Sequence, residues 1–170
     1  MEGTIEARLH EMGIVLPNAS QPAAKYANHV IVNGLVYVSG KGPGGQPKGK
    51  LGREFTTEQG YAFARSVGLE VLAVLKEALG SLDRVKRVVK VQGFVNPTPD
   101  FEEHHKVLDG FSDLMFDVFG DDKGSHARSV FGAVSVRDNL PVIVDSIFAV
   151  EEEKGERNQG TSINEVVPKT

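Results

Sequence analysis

The sequence predicts one two-layer α+β domain, and three observations lead to that prediction. The length of 170 residues is typical of a chain with a single hydrophobic core. Strand-like and helix-like segments follow one another in the order ββαβαββ. Only two of the helices are long enough to cover a sheet, so we expect helices on one face of that sheet and none on the other.

The first third of the chain predicts a short helix, a loop and a hairpin. Thr4–Met12 places apolar residues on one side of a helix that Gly13 ends, and the proline-containing stretch Leu16–Ala24 is typical of a loop. Asn33-Gly34 separates the β-favouring runs at 29–32 and 35–39, and it favours a type I′ hairpin turn because both central positions need positive φ. The glycine-rich segment Gly40–Gly52 predicts a mobile surface loop.

Two amphipathic helices and three strands account for the remainder. The spacing of apolar residues predicts a helix over Thr57–Leu79 and a second one that Asp100 caps and Gly120 ends. A strand over Val85–Val95 lies between them, and strands over 128–136 and 141–150 follow. The domain is expected over residues 1–150, with residues 1–15 as an N-terminal helical extension and residues 151–170 as a polar, flexible tail.

The last strand is apolar on both sides, which predicts an oligomer. Its two alternating sets of apolar side chains are Ile143, Ile147 and Ala149 on one side and Val144, Phe148 and Val150 on the other. A strand of this kind is buried on both faces. Because the helices cover one face only, we expect a second subunit on the other.

Composition excludes several classes of site and partner. The chain contains no cysteine, so disulfides, thiolate metal sites and a cysteine nucleophile are ruled out. The formal net charge of -4 provides no general attraction to nucleic acid. No apolar run reaches membrane-spanning length and the first residues lack the pattern of a secretion signal, so we expect a soluble cytoplasmic protein with no membrane partner.

Two charged residues are the candidates for chemistry. Asp145 lies within the apolar last strand, where a carboxylate needs a cation, hydrogen-bond donors or a proton. It is either a structural ion-pair partner or an acid–base group in a pocket. Arg128 opens the preceding strand, where a guanidinium can bind a carboxylate or phosphate through two hydrogen bonds. An arginine at a strand start is more often a solvated surface charge, and that alternative stays open.

Several motifs together resemble the RidA/YjgF family, also called L-PSP endoribonucleases. They are Leu35–Gly40, Val88–Val95 followed by Pro99-Asp100-Phe101, His126–Ser129 and Val144–Ile147. The likeness extends from about Leu16 to Val150, and Leu16–Ala19 with Lys50–Arg53 is similar to a longer subgroup of that family. The resemblance implies a chorismate-mutase-like fold, a homotrimer whose three sheets form an internal barrel, and ligand sites in the clefts between subunits.

The same resemblance implies an activity and a set of residues. The activity is hydrolysis of reactive enamines and imines such as 2-aminoacrylate to a 2-oxo acid and ammonia, a reaction that needs no metal or other cofactor. By the resemblance, Arg128 grips the carboxylate of a small substrate, and Asp145 places water or moves a proton. Tyr26, Ser39-Gly40 and the backbone of Val130 line the cleft.

Three positions depart from the pattern of the family's deaminase branch, and they leave the substrate open. That branch has glutamate where Asp145 stands, a cysteine at Val130 and an asparagine at Asp109. The extra negative charge of Asp109 would disfavour a small anionic substrate if it faces the cleft. Two other functions therefore stay open: a metabolite-binding regulatory trimer without turnover, and an RNA-cleaving inhibitor of translation, which the acidic composition disfavours.

Overall fold

A five-stranded sheet with helices against one face forms the body of the protein. The computed structural model describes residues 4–153, and most of the predicted tail lies outside this range. The strands are β1 (His29–Val32), β2 (Leu35–Lys41), β3 (Val85–Val95), β4 (Ala127–Gly132) and β5 (Val142–Val150). They lie in the order β1-β2-β5-β3-β4, with β3 and β4 parallel and the other neighbours antiparallel. The predicted order ββαβαββ and the α+β class are confirmed.

Three helices accompany the sheet: α1 (Thr4–Glu11), α2 (Thr57–Leu79) and α3 (His104–Gly124). Helix α2 begins with a capping box, in which Thr56 and Gln59 bond to each other's backbone N–H groups, and it ends at Gly80 with φ 77°. Helices α2 and α3 pack against each other and against the sheet. No helix among residues 4–153 is both long enough and apolar enough to cross a membrane.

Helices α2 and α3 approach each other closely at Gly110. A Cβ atom at that position would lie 2.0 Å from the main-chain oxygen of Tyr61 and 3.1 Å from the main-chain nitrogen of Arg65. Only glycine fits between two backbones at this distance. The contact fixes the position of α3, on which the candidate site is built.

The two faces of the sheet differ in their cover. Side chains on the helix side, such as Val88, Val91, Val144 and Phe148, are fully buried. On the other face, no element among the described residues covers the sheet, and Tyr37 and Phe131 are 43% and 45% exposed. The expectation that helices cover one face only is therefore confirmed, and the open face is partly apolar.

The second long helix and the fourth strand have bounds that differ from the prediction. Helix α3 begins at His104, and Asp100 does not cap it, because residues 97–101 form a turn: the N–H of Thr98 donates to the carbonyl of Leu51, and that of Phe101 to Thr98. The predicted end at Gly120 is confirmed, because its backbone is non-helical (φ 80°), and a short helical turn follows to Gly124.

Strand β4 ends at Gly132 and does not extend to Val136. Its partner strand β3 ends at Val95, whose carbonyl accepts the N–H of Ala133 in the last bond between the two segments. The next residues have no neighbouring strand, and Val134 is 99% exposed. The predicted continuation of this strand to Val136 is therefore wrong.

The segment from Gly40 to Gly52 is anchored, which corrects the prediction of a mobile loop. Lys41 belongs to β2, and Leu51 is fully buried. The N–H of Leu51 donates to the carbonyl of Asn96, and the Nζ atom of Lys50 donates to the Asn96 side chain at 2.6 Å. These bonds hold the segment against the end of β3.

Candidate active site

Arg128, the second residue of β4, lies on the helix-covered face of the sheet. It is in register with Val91 of β3, which in turn pairs with Ser146 of β5, and both of these residues are buried on the helix side. Because neighbouring residues in register share a face, the Arg128 side chain extends towards α3. It is 26% exposed, so the guanidinium still reaches solvent.

Three groups on α3 hold the guanidinium of Arg128. The Nη2 atom is 2.8 Å from Oδ1 of Asp109 and donates to the main-chain oxygen of His105 at 3.2 Å. The Nη1 atom donates to Oγ of Ser112 at 3.1 Å. Residues 105, 109 and 112 follow the i, i+4, i+7 spacing and therefore lie on one face of the helix. Arg128 is fixed in orientation before any ligand binds.

A histidine extends this network away from Arg128. A guanidinium has only donors, so Oγ of Ser112 accepts from Arg128 and its hydroxyl proton is left for Nε2 of His126, 2.9 Å away. The Nδ1 atom of His126 is 2.6 Å from the carbonyl oxygen of Gly124, which can only accept, so we assign the proton of the ring to Nδ1. This arrangement fits a neutral imidazole.

The pKa of His126 is lowered, which agrees with the neutral form. Burial is the main cause, the charge of Arg128 lowers the pKa further, and the bond to Gly124 acts in the opposite direction. At neutral pH the imidazole therefore accepts a hydrogen bond from the Ser112 hydroxyl. The Ser112 oxygen in turn accepts a hydrogen bond from Arg128.

Asp145 lies on the opposite face of the sheet. It pairs in register with Gln92 of β3, whose side-chain amide is 3.5 Å from the hydroxyl of Ser129 on the open face. Burial raises the pKa of Asp145, and the charge of Lys90 partly offsets that effect. Because the sheet itself separates the two side chains, the structure does not bring Asp145 and Arg128 of one chain together.

The other predicted site residues divide between the β4 edge of the sheet and the region of β1 and β2. Val130 lies two residues after Arg128 in β4, and its side chain packs against the core. Ser39 and Gly40 are in β2, and β5 and β3 lie between β2 and β4, so these two groups are about 14 Å apart at the usual spacing of strands. Tyr26 precedes β1 and is 50% exposed. One chain therefore brings Arg128, Val130 and Asp109 together, without Tyr26, Ser39 or Gly40.

Residues 4–153 contain no group of three or more histidine, aspartate or glutamate side chains that could hold a metal ion.

The comparison with known families covers almost the whole described chain. The family model described as "YjgF/chorismate mutase-like, putative endoribonuclease" matches residues 6–149. The chain belongs to this family. The resemblance drawn from the sequence motifs is therefore confirmed, and the single mixed sheet with its helices is consistent with the chorismate-mutase-like fold.

Three similar proteins agree with membership of the YjgF/chorismate mutase-like family. Protein TCP17 of Trypanosoma cruzi is 42% identical over 149 residues, which cover 85% of this chain and 93% of that protein. The structure of the protein Atu1372 from Agrobacterium tumefaciens, described as of unknown function, is 36% identical with a TM-score of 0.78 and covers 86% of this chain and 92% of its own. A "putative endoribonuclease" from Shewanella oneidensis is 32% identical with a TM-score of 0.83, covering 87% and 100% of the two chains.

Ser112 belongs to the candidate site but was not among the residues predicted for it. A signal was present, because Ser112 follows Asp109 by three residues on a helix, so the two share a face. Interpreting it required knowing that Arg128 lies against this face of α3. That contact depends on the parallel pairing of β3 with β4, which no local pattern indicates.

Lys41 was also missed, because its segment was interpreted as a loop. Its side chain is buried, and Nζ donates to Oδ1 of Asn28 at 2.6 Å and to Oγ of Ser20 at 3.2 Å. Burial lowers the pKa of Lys41, and the charge of Glu70 partly offsets that effect. Lys41 thus ties the segment that carries Tyr26 to the end of β2.

Proposed function

We propose that the protein is an imine and enamine hydrolase, a deaminase that releases ammonia and a 2-oxo acid from reactive carboxylated intermediates such as 2-aminoacrylate. The observation that carries this proposal is the guanidinium of Arg128, held at three points on α3 and still open to solvent. An arginine fixed in this way is a preorganised binding group for an anion. Membership of the YjgF/chorismate mutase-like family supports the proposal.

The reaction is simple enough for such a site. Protonation of the enamine carbon gives an iminium ion, and water adds to the iminium carbon. A proton then moves from oxygen to nitrogen, the C–N bond breaks, and ammonia leaves as the carbonyl forms. The remaining hydroxyl proton returns to the acid that protonated the enamine carbon, so that one water is consumed overall. The iminium carbon is already electrophilic, so the site must hold the substrate, supply one proton and position one water.

In this proposal, Arg128 holds the substrate carboxylate and Asp145 handles the proton or the water. Because the sheet separates these two residues within one chain, Asp145 has to act from a neighbouring copy. Its raised pKa suits an acid–base group. Tyr26, Ser39 and Gly40, which lie beyond β5 and β3 from Arg128, are likewise contributed by a neighbour.

A homotrimer with shared clefts follows from the same placement. The open face of the sheet carries partly exposed apolar residues, among them Tyr37 and Phe131. Patches of this kind on one face are typical of surfaces that a partner covers. Three copies joined through these faces would form the internal barrel that the family resemblance implies, in a soluble, cytoplasmic protein.

A second candidate function is a metabolite-binding trimer without turnover. The separation of Arg128 from Asp145 by the sheet favours it, because a chain that does not bring an acid to its anchor can bind a metabolite without moving a proton. In this alternative, Arg128 remains the anchor for a 2-oxo acid or a similar metabolite, and no proton is moved.

The test is the decay of an enamine generated in the assay by another enzyme. Wild-type protein should accelerate decay of the imine signal, and Arg128→Ala should abolish the acceleration. Arg65→Ala is the matched control, because it also removes a partly exposed arginine paired with an aspartate of α3, Asp117 at 3.3 Å, and should keep full activity.

Two results would replace the hydrolase proposal. Unchanged decay together with measurable binding of a 2-oxo acid supports the binding trimer. RNA cleavage that survives removal of contaminating nucleases and is lost in Arg128→Ala supports an endoribonuclease.

A further inference from the structure

The donors of Arg128 are unevenly available, and this bears on the choice of ligand. The Nη2 atom has two hydrogens, and two acceptors already lie beside it. They are Oδ1 of Asp109 at 2.8 Å and the main-chain oxygen of His105 at 3.2 Å. A carboxylate that binds a guanidinium through two parallel bonds uses either Nε with Nη2 or Nη1 with Nη2. Both arrangements need Nη2, so a carboxylated ligand cannot form either one while Asp109 stays in place.

Asp109 is the only one of these acceptors that is able to leave easily. The oxygen of His105 is part of the α3 backbone, and Ser112 is buried. The Asp109 side chain is 44% exposed, so it can turn into solvent, and an exposed ion pair of this kind is weak. A ligand carboxylate therefore competes with one side chain that carries the same charge and the same pair of acceptor oxygens.

We propose that Asp109 is a specificity-determining residue that competes with the ligand carboxylate for Arg128. A carboxylated imine binds only by displacing Asp109, whereas an imine without a carboxylate needs no displacement. Asp109 thus weakens the binding of small anionic substrates and leaves the binding of uncharged ones unaffected. This inference deepens the proposed function and rests on it for the choice of ligands.

The first test measures binding without turnover. Binding of 2-oxobutanoate is titrated by calorimetry to wild type, Asp109→Asn and Asp109→Ala, with Asp117→Asn as control because it removes the same charge from another Asp–Arg pair on α3. Removing one like charge beside the site should tighten binding about tenfold in both Asp109 variants and leave the control unchanged. Equal or weaker binding in both Asp109 variants overturns the inference.

The second test separates this inference from the hydrolase proposal. Hydrolysis of a carboxylated and an uncharged imine is compared in the same variants. The ratio of kcat/KM for the carboxylated over the uncharged imine should rise about tenfold in Asp109→Asn. If no variant hydrolyses either imine but Asp109→Asn binds 2-oxobutanoate more tightly, the hydrolase proposal fails and the inference stands. If wild type hydrolyses both and the ratio does not change, the inference alone fails.

Discussion

Replacing Gly110 by alanine sets two opposing effects against each other. Alanine has the higher helix propensity, worth about 1 kcal/mol in favour of the variant. Its Cβ atom, however, would lie 2.0 Å from the main-chain oxygen of Tyr61, well below the 3.0 Å that real contacts of this kind need. Overpacking of a core costs about 1–3 kcal/mol, and here the upper end applies because a helix backbone has to move and no flexible side chain can give way.

The net expectation is a loss of about 2 kcal/mol, which for a chain of this length lowers Tm by about 4–8 °C. Urea unfolding followed by circular dichroism, at one protein concentration for all variants, measures this loss. Gly44→Ala is the control, because nothing lies within 4 Å of a Cβ atom there, and its stability should be unchanged or slightly raised. If Gly110→Ala is as stable as wild type, α2 and α3 do not approach as the structure shows.

Three further substitutions test the electrostatics of the fold. Burial raises the pKa of Asp145, so its ionised form destabilises the folded protein. Asp145→Asn should therefore raise Tm at neutral pH, and this gain should vanish as pH falls through the raised pKa of Asp145. The pKa of His126 lies below its ordinary value of 6.5, so the unfolded chain takes up a proton at higher pH than the folded protein does. The free energy of unfolding should therefore fall as pH drops below 6.5. Urea unfolding measured across pH should show a shallower fall for His126→Asn. Lys41→Met should destabilise the fold by about 1–2 kcal/mol and speed proteolysis at Lys25; unchanged proteolysis would show that Lys41 does not anchor that segment.

Periodicity was sufficient to predict the elements of the fold but not their contacts. The helical spacing over Thr57–Leu79 and the Asn33-Gly34 turn act locally, and both predictions are confirmed. The start of α3 depends on the bond between Thr98 and Leu51, which are 47 residues apart in the numbering, so no local pattern could place it.

The candidate site was predictable in its residues and not in its geometry. Arg128 and Asp145 were selected for their chemistry, and alternation along each strand gives two faces. Whether the two side chains lie on the same face of the sheet depends on the strand register, since a shift of one residue moves every side chain of a strand to the other face. Strand β3 lies between β4 and β5, so the relation of the two residues depends on two registers. The pairing of Arg128 with Asp109 likewise follows from where α3 packs.

Subunit mixing tests most directly whether Arg128 acts in a site that a neighbouring copy completes. Arg128→Ala and Tyr26→Ala are each expected to be inactive alone. Unfolded together in equal amounts and refolded, they should regain about a quarter of wild-type activity, because random assembly pairs an intact Arg128 with an intact Tyr26 at one shared cleft in four. If mixed oligomers form and stay inactive, or if Tyr26→Ala alone is fully active, the shared site is contradicted.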